Sequence, residues 1–206
     1  MSTRKRLDGP ARRDQLVEVG LTLARTTPFD QISADEVARI AGVSKGLVFH
    51  YFPTTRDLQV AVLRAGIREL MDDLDTDPTA TIPDRLRSGV EVFLAYIELH
   101  PSGYLAMARG IGSDPQLIEV FEETRAEAVA IIQGVLGLDV LPPGLRIAIR
   151  AWIAGVEEAA LHWLDGKPIP RDRLVEFLTQ VGLTMLPDAA SMDEGVSPPA
   201  LPRLEA

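Results

Sequence analysis

Residues 32–58 read ISADEVARIAGVSKGLVFHYFPTTRDL, and the first part of this stretch predicts the start of a helix. Ser33 and Glu36 have the spacing of a capping box, in which the serine side chain accepts a hydrogen bond from the amide of residue 36. The glutamate of such a box reaches back to the serine amide. We therefore expect a short helix to begin near Ala34.

Gly42 ends that helix, because glycine tolerates the left-handed conformation of a helix C-terminus. Ser44 offers a new N-cap, so a second helix starts at once and runs to about Tyr51, where Pro53 stops it. Two short helices around one glycine are typical of a helix-turn-helix. A helical hairpin that only packs has a similar local pattern and remains the alternative at this point.

The second helix carries side chains of the kinds that contact DNA. A cation, a bare backbone, aromatic rings and an imidazole suit the floor of a groove and its phosphate walls. These residues are Lys45, Gly46, Phe49, His50 and Tyr51. Together with the two caps and the glycine turn, they favour a DNA-binding motif over a plain hairpin.

The rest of the chain also predicts helices, because its apolar residues recur with helical spacing and no run alternates as a strand does. In the first helix, Leu16, Val19, Leu23 and Ala24 are expected to face inward. Four prolines fall in residues 187–206, which we expect to be a disordered tail. The fold class is therefore all-α, with further helices at about 9–25, 55–74, 84–99, 102–111, 115–136, 143–164 and 171–186.

Composition argues against several classes of function. The 206 residues include no cysteine, which rules out a disulfide scaffold, a thiolate metal site and a cysteine nucleophile. The three histidines lack metal-ligand spacing, and no phosphate loop or hydrolase motif occurs, so we expect no metal, no cofactor and no catalytic residue. No apolar run is long enough for a membrane helix and no signal peptide is recognised, so a cytoplasmic protein is expected.

The charge is unevenly distributed along the chain. Residues 1–57 hold nine basic and seven acidic side chains, a net charge of +2, whereas residues 58–206 hold twelve and twenty-three, a net charge of −11. A basic head meets phosphate while an acidic body repels it, so this distribution would orient a protein on nucleic acid. Uneven surface charge without function is the alternative.

The segment from Gly42 to Pro53 resembles the recognition segment of the TetR/AcrR family of bacterial transcriptional regulators. The likeness extends back through residues 32–38 and forward through residues 56–58. It implies a three-helix DNA-binding domain at 1–55 with its recognition helix at about 44–51, and a helical effector-binding and dimerisation domain at 56–186. It also implies a homodimer that binds double-stranded operator DNA and a small-molecule effector that releases it.

The resemblance assigns roles to individual residues. Ser33 would cap the positioning helix against a phosphate, Lys45 and Gly46 would face the major groove, and His50 and Tyr51 would reach the backbone. Two positions depart from the family pattern: Phe49 stands where tyrosine is usual, and Thr55 stands where lysine is usual.

Basic residues could add to these contacts. Arg56 could replace the phosphate contact that lysine would make at position 55. The N-terminal cluster Arg4, Lys5 and Arg6 could enter a minor groove, although a solvated cluster is the commoner case.

The body suggests a pocket between helices. Tyr104, Met107, Arg109, Trp152 and His162 are the residues that we expect to line it, although Trp152 could instead belong to the core and Glu158 could pair with His162 on the surface. Few polar groups converge there, which favours a largely apolar effector, and the negative body favours a cationic ligand over an anionic one.

The last two long helices are the predicted dimer interface, because each is apolar on more than one stripe and must bury two faces. A monomer with a thick core is the alternative. One stripe of the first helix contains Leu145, Ile149, Trp152, Val156, Ala159 and Trp163, and the other contains Ile147, Ala151, Ala154 and Leu161. The second helix contributes Leu174, Phe177, Leu178, Val181, Met185 and Leu186, with Gly155 and Gly182 expected to permit close approach of the partner.

Two functions follow from the sequence. The first is a ligand-responsive DNA-binding regulator, most simply a repressor with a palindromic operator, which is not an enzyme. The second is a helical protein that binds or converts a small molecule and has a degenerate DNA-binding head, as the departures at Phe49 and Thr55 would allow.

Overall fold

A computed structural model describes residues 8–74, 77–101, 104–105 and 114–193. Within these ranges the chain forms eight α-helices and one short 3-10 turn at Phe29–Gln31, and no strand. The all-α prediction is therefore confirmed. The helices are α1 (Gly9–Ala24), α2 (Ala34–Ala41), α3 (Lys45–Tyr51), α4 (Thr55–Asp73), α5 (Ile82–Leu99), α6 (Pro115–Val135), α7 (Pro143–Leu164) and α8 (Arg171–Ala190).

The helix bounds agree with the predicted ones to within two residues except at the C-terminus of α8. The predicted tail at 187–206 is wrong for its first residues, because α8 continues through Pro187 to Ala190 and buries both Ala189 and Ala190. That burial stabilises the last turn, although Pro187 has no amide hydrogen to donate to the helix. Residues 194–206 and most of the predicted helix 102–111 lie outside the described residues.

The first of two compact units comprises residues 1–69 and 100–118. Its core contains Leu16, Val37, Val48 and Leu58, all with no exposed surface. In α1 the prediction was partly wrong: Val17 and Gly20 are buried with Leu16 and Leu23, whereas Val19 and Ala24 are only half-buried. The inward stripe of α1 therefore lies about one residue away from the predicted stripe.

The extent of this unit differs from the predicted domain 1–55. The first four turns of α4 belong to it, because Leu58 and Val62 are buried. The start of α6 also belongs to it, since Asp114 and Gln116 contact the beginning of α4.

The second unit comprises residues 70–99 and 119–206, and α5, α7 and α8 pack together in it. The indole Nε1 of Trp152 on α7 donates to the Leu178 carbonyl on α8 at 2.9 Å. A β-carbon at Gly182 would lie 2.8 Å from the Trp152 ring, so this glycine admits the chain's own indole. The expectation that Gly182 admits a partner subunit is therefore wrong.

Asp193 connects the C-terminal end of α8 to the N-terminus of α7. Its carboxylate accepts hydrogen bonds from the Gly144 amide at 2.9 Å and from the Leu145 amide at 3.4 Å. Pro142 and Pro143 provide no side-chain cap for α7, so this distant carboxylate satisfies amides that a local serine or aspartate would otherwise bind.

Charged side chains tie α6 to α7 within the second unit. Arg125 donates two hydrogen bonds to the Oε2 atom of Glu157, from Nε at 3.0 Å and from Nη2 at 2.5 Å. Arg150 donates to Glu122 at 2.8 Å. None of the helices in the described part of the chain combines the length and the apolar character needed to cross a membrane.

Candidate DNA-binding interface

The start of α2 is fixed by Ser33, whose Oγ accepts a hydrogen bond from the Glu36 amide at 3.3 Å. The serine half of the predicted capping box is confirmed. The Glu36 carboxylate lies 3.6 Å from Arg39, one turn further along the same helix. Ser33 itself is half-buried, so part of its surface stays accessible beside α2.

The turn between α2 and α3 has the predicted geometry. Gly42 adopts φ 64° and ψ 41°, a left-handed conformation, and the Val43 amide donates to the Ala38 carbonyl at 3.0 Å. Ser44 then caps α3, because its Oγ accepts from the Leu47 amide at 3.2 Å. These local bonds set the direction in which α3 leaves the turn.

One face of α3 is buried and the other is exposed. Val48 has no exposed surface and Phe52, just after the helix, is 2% exposed. The opposite face presents the residues expected to contact DNA: Ser44, Lys45, Gly46 and His50 are exposed, and Phe49 and Tyr51 are half-exposed.

The exposed face of α3 has an open backbone at Gly46 and two aromatic rings in contact, those of His50 and Tyr51. A β-carbon at Gly46 would touch nothing nearer than the Ser44 Oγ at 4.0 Å, so a DNA groove could approach this backbone. The rings of His50 and Tyr51 meet edge to face, with their centroids 5.2 Å apart. The structure therefore places the predicted residues of α3 together on one accessible surface.

Lys45 has a partner that the sequence reasoning missed. Its Nζ lies 2.7 Å from the Oδ2 of Asp35 on α2 and 5.8 Å from the centre of the Phe49 ring. Opposite charges near the starts of two adjacent helices were the available signal. The spacing of ten residues does not by itself reveal the contact, which needs the crossing of the helices.

The start of α4 has a capping box of its own, also missed. Thr54 Oγ accepts from the Asp57 amide at 3.1 Å, and Asp57 Oδ2 accepts from the Thr54 amide at 2.8 Å. Hydrogen bonds from the Thr54 hydroxyl and then from the Gln116 side chain hold the pKa of Asp57 below its ordinary value. Thr55 is therefore the first residue of a well-anchored helix and is half-exposed.

Arg56, which was predicted to replace the phosphate contact of the missing lysine, has protein partners in the structure. Its guanidinium pairs with Asp114, lies 3.4 Å from the Gln59 side chain and sits 5.8 Å from the centre of the Phe29 ring. Its Nε is buried without a hydrogen-bond partner. The Arg56 side chain is 32% exposed, and its ion pair with Asp114 competes with a phosphate contact.

Two contacts connect α1 to the end of α3. Arg13 lies over the Phe52 ring at 5.0 Å, and the Tyr51 hydroxyl lies beside Gly9 at the start of α1. The predicted minor-groove cluster of Arg4, Lys5 and Arg6 lies outside the described residues.

Three of the five residues predicted to line an effector pocket are described by the structure: Tyr104, Trp152 and His162. Met107 and Arg109 lie outside the described residues, and Tyr104 is 5% exposed in the first unit. Trp152 is buried between α7 and α8, as the core alternative requires. The His162 side chain is 83% exposed and lies 3.1 Å from Glu158 on the preceding turn, as the alternative of a surface pair requires.

Residues 8–74, 77–101, 104–105 and 114–193 contain no group of three or more histidine, aspartate or glutamate side chains placed to hold a metal ion.

Two family models match the chain. Residues 16–62 match the model described as bacterial regulatory proteins of the tetR family, and residues 82–185 match the one described as the tetracyclin repressor-like C-terminal domain. The first match covers the helix-turn-helix, and the second covers half of the chain.

Individual proteins give the same result. The HTH-type transcriptional activator FasR of Mycolicibacterium smegmatis is 28% identical over 193 residues, which cover 88% of this chain and 87% of FasR. The HTH-type transcriptional regulator EthR of the same species is 25% identical over 196 residues, which cover 88% of each chain. A tetR-family transcriptional regulator from Streptomyces coelicolor superimposes with a TM-score of 0.79 at 30% identity, covering 91% of this chain and 86% of that one.

Replacement of Lys45 tests the exposed face of α3. We expect Lys45→Ala to weaken binding to a preferred duplex by about 1–3 kcal/mol if the ammonium contacts a guanine. Tyr51→Phe and His50→Ala should weaken all duplexes about equally, as backbone contacts do. Fluorescence anisotropy with preferred and scrambled duplexes measures both effects, and unchanged affinity in Lys45→Ala would contradict the assignment.

Proposed function

The chain belongs to the TetR family of bacterial transcriptional regulators, and from this we propose that it is a homodimer that binds a palindromic operator in the cytoplasm and is released by a small, largely apolar effector. The observation that carries the DNA-binding part is the doubly capped helix-turn-helix with its accessible recognition face. In a twofold dimer, two such helices would read half-sites about 34–36 Å apart, or a multiple of that distance.

The outer faces of α7 and α8 support the dimer. Of the two predicted stripes on α7, one is buried within the chain at Leu145 and Ile149, whereas Ile147 on the other is 68% exposed. On α8, Phe177 is 60% exposed and Val181 is 39% exposed. Large apolar side chains on neighbouring long helices are the surface that a second copy would cover.

Small residues on α7 would let the second copy come close. Ala151, Ala154 and Gly155 are exposed on the same side as Ile147, and a β-carbon at Gly155 would meet nothing within 4 Å. Val156, by contrast, is 8% exposed and belongs to the chain's own core. It is therefore unsuitable for testing the interface.

The dimer is tested on α8, where Phe177 and Val181 are one turn apart. We expect the double variant Phe177→Arg/Val181→Arg to sediment as a monomer at micromolar concentration, because the dimer would bury unpaired charges. Ile118→Arg is the matched control, since Ile118 is 41% exposed but lies in the first unit. A monomeric wild type, or a double variant that stays dimeric, would refute this interface.

The chemistry of the second unit supports an apolar effector. Its described core is made of aliphatic and aromatic side chains, and the polar side chain buried there is Thr179, at 7% exposure. The Thr179 hydroxyl has no hydrogen-bond partner, so it could bind one polar group of a ligand. The net charge of −11 over residues 58–206 favours a neutral or cationic molecule.

Helix α4 supplies a physical route from effector to operator. It begins four residues after α3 ends, and from residue 70 onward it belongs to the second unit. A tilt of α4 would therefore move α3 and change the spacing of the two recognition helices. Because half-site spacing is fixed by the DNA helix, a shift of a few ångströms is sufficient to weaken binding.

The effector proposal is tested by thermal-shift screening of apolar amines and neutral lipophiles. Compounds that raise the melting temperature are then titrated into the protein–DNA complex. We expect them to lower operator affinity, and DNA should lower their affinity by the same factor, because coupling is reciprocal. Compounds that stabilise the protein and leave operator affinity unchanged would refute the coupling.

Two other functions have specific support. The relative FasR is named an activator, so binding of this protein to its operator could raise transcription instead of repressing it. A degenerate DNA-binding head is favoured by Phe49, by Thr55 and by the ion pair that Arg56 makes with Asp114. A reporter gene behind the operator separates repressor from activator, and a gel shift with the DNA upstream of the gene tests for a degenerate head.

A further inference from the structure

The ion pair between Asp35 and Lys45 lies on the surface that would face DNA. The Lys45 side chain is 52% exposed and that of Asp35 is 66% exposed, with 2.7 Å between Nζ and Oδ2. Lys45 is the first residue of α3, and Asp35 is the second residue of α2. The pair therefore joins the two helices of the motif at the end where both begin.

Residues 33–51, which include the pair, carry no net formal charge. Between residues 33 and 51, the acids Asp35 and Glu36 are balanced by Arg39 and Lys45. Phosphate attraction is independent of sequence and dominates non-specific binding. A segment without net charge gains little from it, so sequence discrimination by this segment must come from hydrogen bonds to base edges.

The chemistry of lysine shows what Asp35 adds. An ammonium on a four-carbon stem is a mobile point charge with three donors, and alone it would turn to the nearest phosphate. A carboxylate at 2.7 Å occupies one donor and opposes the positive charge. Two donors stay available on the ammonium, and the ion pair restricts where it can lie on the exposed face of α3.

We propose, on the basis of the DNA binding proposed above, that Asp35 is a positioning residue that determines specificity. It directs Lys45 to a base and away from phosphate. The pair persists in the operator complex, where Lys45 uses its two remaining donors. On non-specific DNA the same pair suppresses a phosphate contact that a free lysine would make. Asp35 thus raises the ratio of operator affinity to non-specific affinity.

The test compares Asp35→Asn with wild type on two probes. One is the duplex that the wild-type dimer selects from a randomised library, and the other is poly(dI-dC). We expect Asp35→Asn to bind poly(dI-dC) about fivefold more tightly per protomer at 0.15 M salt and to bind the selected duplex no more tightly. Each newly formed phosphate contact should steepen the salt dependence of non-specific binding by about 0.9 in log–log slope.

Two controls isolate the ion pair from general charge. Asp14→Asn removes an equal charge from the exposed side of α1 and should change both affinities by the same factor. In a Lys45→Met background, Asp35→Asn should no longer alter the affinity ratio. Circular dichroism melting checks that each variant is folded.

The outcomes separate this proposal from the proposed function. If Asp35→Asn changes both affinities by one common factor, as Asp14→Asn does, the role of Asp35 is refuted while operator binding stands. If the wild type selects no duplex, the DNA-binding function itself fails. A fall in the affinity ratio that requires Lys45 supports the proposal.

Discussion

Gly42 holds a left-handed backbone conformation, at φ 64° and ψ 41°, between two helices that each begin at a serine cap. A residue with a β-carbon pays about 1–2 kcal/mol for this conformation. The turn fixes the angle between α2 and α3. At this angle Val48 is buried in the core of the first unit. The exposed side of α3, the Lys45–Asp35 pair and the direction of α4 all depend on that angle.

Affinity and specificity have different physical sources in this account. Residues 1–57 carry a net charge of +2 and residues 58–206 carry −11, so the head attracts phosphate and the rest of the chain repels it. Residues 33–51 carry no net charge, so discrimination between duplexes relies on the donors of α3. Arg56 joins the start of α4 to Asp114 within the first unit, so a phosphate contact by this residue would compete with that ion pair.

The sequence was sufficient where structure is set by neighbours along the chain. Both serine caps, the glycine turn and the stop at Pro53 are local signals, and the structure has each of them at the predicted residue. Contacts between distant residues were missed: the Asp35–Lys45 pair, the Arg56–Asp114 pair and the Asp193 cap of α7 each need the packed fold.

The errors have the same origin. Gly182 and Val156 have the composition of an interface, but the indole of Trp152 fills the space at Gly182 and the chain's own core buries Val156. Periodicity shows that a helix has two apolar faces and cannot say which one its own chain covers. Pro187 signals a stop, yet burial of Ala189 and Ala190 continues α8 beyond it.

The central claim is that α3 reads the major groove of a specific duplex, one helix from each subunit. Methylation of guanine N7 by dimethyl sulfate, on the duplex selected by the wild-type protein, tests it most directly because N7 lies in that groove. The account predicts two protected clusters with centres about one helical turn, or a multiple of it, apart. A bound duplex in which guanine N7 stays fully reactive would contradict it.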